Sequence, residues 1–444
     1  MLNSTIAFYT PPQLPRLRYI VDFIFNKILG INVLHIPTEK DWFQSSLPKI
    51  WYGSLDTAPK TPAFILAKHH PILTEKGLKS HIQPDFGADG LARAFFEISR
   101  YEEYIAKNRD IHGRFTGAQS YAFKTGSLQR PIVHEIAEDL KQKLRHRYAN
   151  IVFGTANYTF LPTYDIDMAW RYAHKGLIRS GLAGLRDGLR GDFKTLYQRI
   201  QVYQGRVGDP DFVFDDLEQL HQKKGLKPIF FWLLGDYAAY DKNIDSKNKH
   251  FQNLIRNIAK QYAVGIHPSY RSNQHLDILK MEVSRLQQML RQHRLQKIEM
   301  NRMQSRQHFL KLTLPTTYRR LIAAGITDDY TMGYADQIGF RAGVAIPFNW
   351  YDVEKDAVTN LIIHPFQVMD VTLQQYLKLS PTEAVAAVKP LIEITKSVGG
   401  TFTTLWHNSS LSEMNEWKGW RVVYESIVDN ACDKSGPLER GWSE

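Results

Sequence analysis

Asp165 and Asp167 stand one residue apart in "LPTYDIDMAW" (161–170), near the end of an apolar run. Residues two apart on a strand point to the same side, so a strand ending here aims both carboxylates at one place. Like charges so placed repel unless something neutralises them. A divalent ion would do so, with one carboxylate holding the ion and the other taking a proton from water bound to it. Neutral imidazoles from other strands would complete the shell, and a histidine opposite could protonate a leaving group. Together these groups suit hydrolysis of an amide or an ester. The competing reading of a D-x-D spacing is a helix N-cap beside a surface acid.

Such groups must be carried by something rigid. From about residue 158 short apolar strand patterns alternate with long helical ones: 158–167, 227–235, 262–270, 297–305, 329–335, 360–370 and 400–408 read as strands. Repeated βα alternation predicts a parallel sheet with helices outside it, and about seven strands could close into a barrel. Sites in such folds lie at the carboxyl ends of strands. Asp165 and Asp167 end the first of these strands, His267 the third and His407 the last. Residues 1–150 read as a smaller α/β or α+β domain, with strand-like "STIAFYT", "INVLHI" and "AFILA" and helices over 90–107 and 131–148. Its role is open among polymer binding, covering the barrel mouth and assembly. Residues 151–444 form the second domain.

Composition narrows the class. With 444 residues, 43% hydrophobic and 23% charged, the chain reads as a soluble globular protein of two or three domains. The net charge of +11 raises nucleic acid or an anionic membrane as partners. Both are set aside here. The cations are spread along the chain, the densest stretch (285–306) has the spacing of a solvated helix face, and no nucleic-acid-binding signature accompanies it. Cys432 is the only cysteine, so a metal must be held by histidine and carboxylate. No signal-peptide pattern opens the sequence and no apolar run reaches about 18 residues. The expectation is a cytoplasmic protein without a transmembrane segment.

The order of the motifs resembles that of the polysaccharide deacetylase (NodB-homology) family of carbohydrate esterases, over roughly residues 155–410. That family has a distorted (β/α) barrel, usually of seven strands, and motifs TFDDG, H-[ST]-x-x-H, R-x-P-[YF] and L-x-H. Here "TYDID", "HPSYR" (267–271), "RQHF" (306–309) and "LWH" (405–407) stand in that order. The resemblance implies Asp165 as base, Asp167 and His267 as metal ligands, Arg306 as partner of the base and His407 as acid. It also implies one divalent ion, zinc foremost, and an acylated sugar or polysaccharide as substrate. Arg271 replaces the second motif histidine and, always protonated, cannot bind a metal; His308, where the family has proline, could supply the missing imidazole. Over the whole chain the sequence further resembles a bacterial group in which an uncharacterised domain precedes the barrel, through "FFEISRYEEY", "HGRF", "RQHFLKL", "DDYTMGYADQIGFRAG" and "TLWHNSSL".

Other residues carry two readings. Arg341, between glycines in "GFRAG", contacts a substrate anion or forms an ion pair with Asp328 or Asp329. Tyr270 and Trp406, beside motif residues, are candidate substrate contacts. Asp370 reads first as a helix N-cap and second as the carboxylate that orients His407. His364, Trp350 and Tyr351 read as packing, and His69, His70 and His275 as surface residues. Two alternatives stand beside the deacetylase reading. One is an inactive barrel that binds glycan or a partner protein; the other is a metal-free glycosidase, whose carboxyl pair would lie roughly 5–10 Å apart.

Overall fold

The computed structural model describes residues 4–11, 14–53, 64–67, 70–79, 82, 84–291 and 302–433. The first sheet has four parallel strands, β1 (Thr5–Tyr9), β2 (Asn32–His35), β3 (Lys49–Gly53) and β4 (Phe64–Ala67), in the order β2-β1-β3-β4. Strand β3, "KIWYG", escaped the sequence reading. The single helix expected over 90–107 is two, Gly90–Ser99 and Tyr101–Ile105, broken where Arg100 takes a left-handed φ of 55°. Buried Arg100 is held there by Glu103 (2.8 Å), Glu102 (2.7 Å) and the Tyr334 hydroxyl (2.7 Å).

The second sheet carries β5 (Thr159–Ile166), β6 (Ile229–Leu233), β7 (Ala263–His267), β8 (Gln304–Ser305), β9 (Asp328–Asp329), β10 (Phe348–Asp352), β11 (Ala357–Ile363), β12 (Val368–Met369) and β13 (Thr401–His407). Their order is β10-β11-β9-β8-β7-β6-β5-β13-β12, and every pairing but β10 with β11 is parallel. The expectation of a closed barrel is therefore corrected: among the described residues the sheet is open, with β10 and β12 at its edges. The chain between β11 and β12 contains Pro365, which has no N–H for a ladder. Isolated bonds bridge the gap instead, from Phe366 N to Met332 O (3.1 Å) and Gln367 N to Thr403 O (3.0 Å). The expected strand over 297–305 shrinks to β8, with 297–301 outside the described residues.

Alternation within these strands decides which side chains reach the site. In β5, Tyr164 and Ile166 face the helices: Tyr164 stacks on Phe230 at 4.8 Å and hydrogen-bonds His221 Nε2 at 2.7 Å. Thr163 and Asp165 therefore face the opposite side of the sheet. Strand β6, "IFFWL", is buried along its whole length, the apolar signature of a central parallel strand. The helix Phe214–Lys224 that feeds it ends on Gly225, whose φ of 65° needs no side chain.

The two sheets are joined by buried polar contacts. Glu103 receives two bonds from Arg341, at 2.9 and 2.6 Å, and Arg16 bonds Asp356 at 2.8 Å. No helix among the described residues is long and apolar enough to cross a membrane.

Candidate metal centre

Two strand ends and one turn build the site. Asp167 follows β5, His267 ends β7, and His308 lies in the turn after β8. Their donor atoms all lie within 4.8 Å of one another. His267 Nε2 is 3.3 Å from Asp167 Oδ1, and His308 Nε2 is 3.6 Å from Asp167 Oδ2. Tetrahedral zinc bonds of about 2.0–2.1 Å imply ligand separations of about 3.3 Å. Both imidazoles have their other nitrogen committed. His267 Nδ1 donates to Arg306 O at 2.6 Å, and His308 Nδ1 donates to Asp241 Oδ1 at 2.9 Å. Each Nε2 is thereby turned inward, the arrangement that fixes metal-ligating histidines. Asp167 Oδ1 and His267 Nε2 are buried without a hydrogen-bond partner. A cation satisfies both, so the residues fit a divalent ion.

The turn that carries His308 is unusual. Phe309 and Leu310 take φ of 59° and 51°, a left-handed region costly for such residues. Arg114, 195 residues before Phe309 in the chain, donates to Phe309 O at 2.9 Å and is itself held by Asp110 at 2.7 Å.

The remaining polar groups are oriented as firmly. Buried Arg306 donates to Asp165 Oδ1 (3.0 Å), Thr163 Oγ1 (2.7 Å) and Tyr330 O (3.0 Å), between the rings of Phe231 and Phe366. His407, register partner of Asp165, donates from Nδ1 to Asp370 Oδ1 at 2.9 Å. Asp370 Oδ2 also accepts the His407 backbone N–H at 2.7 Å and the Ser410 hydroxyl. The N-cap expected of Asp370 gives way to this clamp: its carboxylate grips His407.

Charge follows geometry. Burial opposes ionisation of Asp167, but the imidazoles of His308 and His267 overcome it and hold the carboxyl well below its usual range. Burial likewise opposes a charge on His308, yet Asp167 and Asp241 push it up to about 9. His407 rises to about 10 against burial, chiefly through Asp370, with smaller contributions from Asp167 and Asp165.

With this geometry in view, the likeness to known proteins is as follows. Residues 6–149 match the model of a family of unknown function, DUF7033. No curated protein matches the sequence. Among solved structures, a presumed polysaccharide deacetylase from Mycobacterium smegmatis aligns with a TM-score of 0.40 and 14% identity, over 64% of this chain and 86% of that one. A 7,8-dihydropteroate synthase from Vibrio fischeri ES114 aligns at 0.27 and 8%, over 62% and 94%. A GH138 enzyme targeting pectin rhamnogalacturonan II aligns at 0.27 and 10%, over 99% and 64%. All three scores lie below 0.5, so these likenesses carry no weight for function.

Not every residue singled out from sequence reaches the centre. Arg341 is buried in its pair with Glu103 and also donates to Gly333 O at 2.8 Å, which leaves it nothing to offer a substrate. The acids suggested for it are taken elsewhere: Asp328 bonds Arg302 and His364, and Asp329 bonds Ser305 and Thr331. Trp406 is fully buried against Tyr424, 5.2 Å away, on the helix side of β13. Tyr270 does lie at the rim, 4.4 Å from the Tyr240 ring and 5.4 Å from Phe309, with Lys311 Nζ 3.9 Å from its centroid. Trp350 and Tyr351 are core, and Arg271 and His275 are exposed. His364 stacks on Tyr330 at 4.2 Å. His70 caps a short helix, and His69 is outside the described residues. Asp241 was missed: in the loop after β6 it has no periodic pattern to mark it, and only the fold brings it to His308 and to the backbone N–H of Tyr270 (2.9 Å).

Proposed function

We propose that the protein is a metal-dependent hydrolase that removes an acyl group, acetyl foremost, from an N- or O-acylated sugar or polysaccharide, with zinc as the ion. The observation that carries this reading is the convergence of Asp167, His267 and His308 with both Nδ1 atoms committed and both Nε2 atoms turned inward. The sugar substrate rests on the order of the four motifs. An ion held by these residues supplies Lewis acidity toward an acyl oxygen and makes water more acidic.

The chain's own residues then divide the proton work. Asp165, its Oδ1 fixed by Arg306, takes a proton from the attacking water through Oδ2. His407 enters the reaction protonated, because Asp370 stabilises its imidazolium, and gives the proton on Nε2 to the departing nitrogen or oxygen. Asp241 and the Arg306 carbonyl keep the ligand rings from turning. Tyr270 and Tyr240 offer aromatic faces on which a sugar ring can stack.

The test uses the full chain. Metal content after purification and reconstitution is compared between wild type and Asp167→Ala, and acetate release is followed on a panel of acetylated sugars. One ion per chain, lost in the variant together with hydrolysis, is expected. Failure of the wild-type protein to take up a divalent ion would sink the reading.

A further inference from the structure

Between Arg171 and Arg206 the chain carries eight Lys or Arg and two Asp, against a net charge of +11 for all 444 residues. The fold places most of this stretch in a hairpin of two helices, Leu177–Leu189 and Phe193–Tyr203. The inner face of the hairpin is satisfied. Arg199 pairs with Asp187 at 2.6 Å, both buried, and Leu196 packs against Gly184 and Gly188. Asp192 caps the second helix through Thr195 N at 3.0 Å.

The outer face is not satisfied. Leu182, Leu185 and Leu189 recur at i, i+3 and i+7 on the first helix, and Phe193, Tyr197 and Ile200 at i, i+4 and i+7 on the second. That spacing puts each set on one face. All six are between 43 and 81% exposed. Arg186, Arg190 and Lys194 border the two rows. An apolar stripe edged by Lys and Arg has the composition of a helix lying in a membrane interface, where long basic side chains reach outward to headgroups. Charge separates this cover from a second copy of the chain, which would bring its own cations against these.

The position of the hairpin adds to this. Beneath it lies a cleft of about 950 Å³ whose wall includes Arg171, Lys175, Arg179, Arg186 and Lys242. The same cleft is lined by Met168, the residue after Asp167, but by none of Asp167, His267 and His308 themselves. Arg171 is matched by Asp211 at 2.9 Å, whereas Arg179 spends its donors on the carbonyls of Asn243 and Lys242 and keeps its charge unmatched by an acid.

We propose that the hairpin of residues 177–203 docks the protein on an anionic bilayer surface: its outer apolar rows enter the interfacial layer and its bordering cations meet the headgroups. This revises the sequence reading, which set an anionic membrane aside because the cations looked dispersed.

The full chain is tested by flotation with vesicles of phosphatidylcholine alone and of phosphatidylcholine with phosphatidylglycerol. Binding is expected to be at least roughly tenfold stronger on the anionic vesicles and to weaken with salt. The double variant Leu185→Glu, Phe193→Glu should lose at least roughly tenfold of it while keeping wild-type thermal unfolding and metal content. Equal binding to both vesicle types, no binding to either, or binding unchanged in the variant overturns the proposal. So does a dimer in sedimentation that the variant dissolves, which would assign the face to a second copy. Because metal uptake is read separately, failure here leaves the hydrolase reading standing, and the converse holds.

Discussion

Asp370→Asn isolates how the candidate acid is kept protonated. His407 stands at about 10, against an ordinary value near 6.5, and the largest upward contribution comes from Asp370 at 2.9 Å. An opposite charge at such range raises an imidazole by roughly one to three pH units. Removing it should bring His407 down by about two, to near 8. At pH 9 the protonated fraction then falls roughly tenfold, while below pH 7 it hardly changes. Hydrolysis should therefore lose its basic limb about two pH units earlier, and NMR titration of the His407 ring should move equally. Stability carries the same signature. A histidine raised on folding stabilises the protein fully below about 6.5, and that stability is lost as pH rises through about 10. The wild type should lose on the order of 5 kcal/mol over this window, and the variant clearly less. The amide also puts N–H groups where Asp370 accepts from His407 and Ser410, a cost of about 1–3 kcal/mol at every pH. A basic limb and a ring titration that both stay near 10 would refute the role given to Asp370.

Three further perturbations probe the frame. Asp241→Ala frees the His308 ring and should weaken metal binding about 10–100-fold in a competition titration, and an unchanged affinity would remove Asp241 from the centre. Glu103→Gln leaves Arg100 and Arg341 buried without their shared carboxylate, so urea unfolding should show a loss of about 3–5 kcal/mol; a loss below about 1 kcal/mol would mean the junction tolerates the change. Glu282 accepts Ser269 N at 3.0 Å and is pushed up by burial to about 7, so its folded-state protonation stabilises below about 4.5 and is lost as pH rises through about 7. Glu282→Gln should abolish a decline of about 3 kcal/mol across that window, measured by chemical denaturation at several pH values.

Several features were legible because they depend on local rules. The spacing of Asp165 and Asp167 already said that both acids share a face, and β5 ends where the apolar run ends. Trp406 could have been placed from sequence as well: one residue before inward-facing His407, it must face the helices, and parity outweighs proximity to a motif. The closed barrel failed for a nearly local reason. Strands β8, β9 and β12 are two residues long, and Pro365 interrupts the path between β11 and β12, so hydrophobic pattern overstated the ladder.

What the sequence determined by itself is therefore the strand tips that carry the candidate residues: Asp165 on β5 and Asp167 just after it, His267 on β7, Arg306 after β8 and His407 on β13. Whether His308 turns inward was decided by the tertiary structure, because its orientation depends on Asp241, 67 residues earlier, and on a strained turn held by Arg114, 195 residues before Phe309. The fates of Arg341 and Asp370 were decided the same way, by partners 238 and 37 residues distant in the chain. Periodicity reports which face a residue occupies; only the closing of long loops decides which charge waits there.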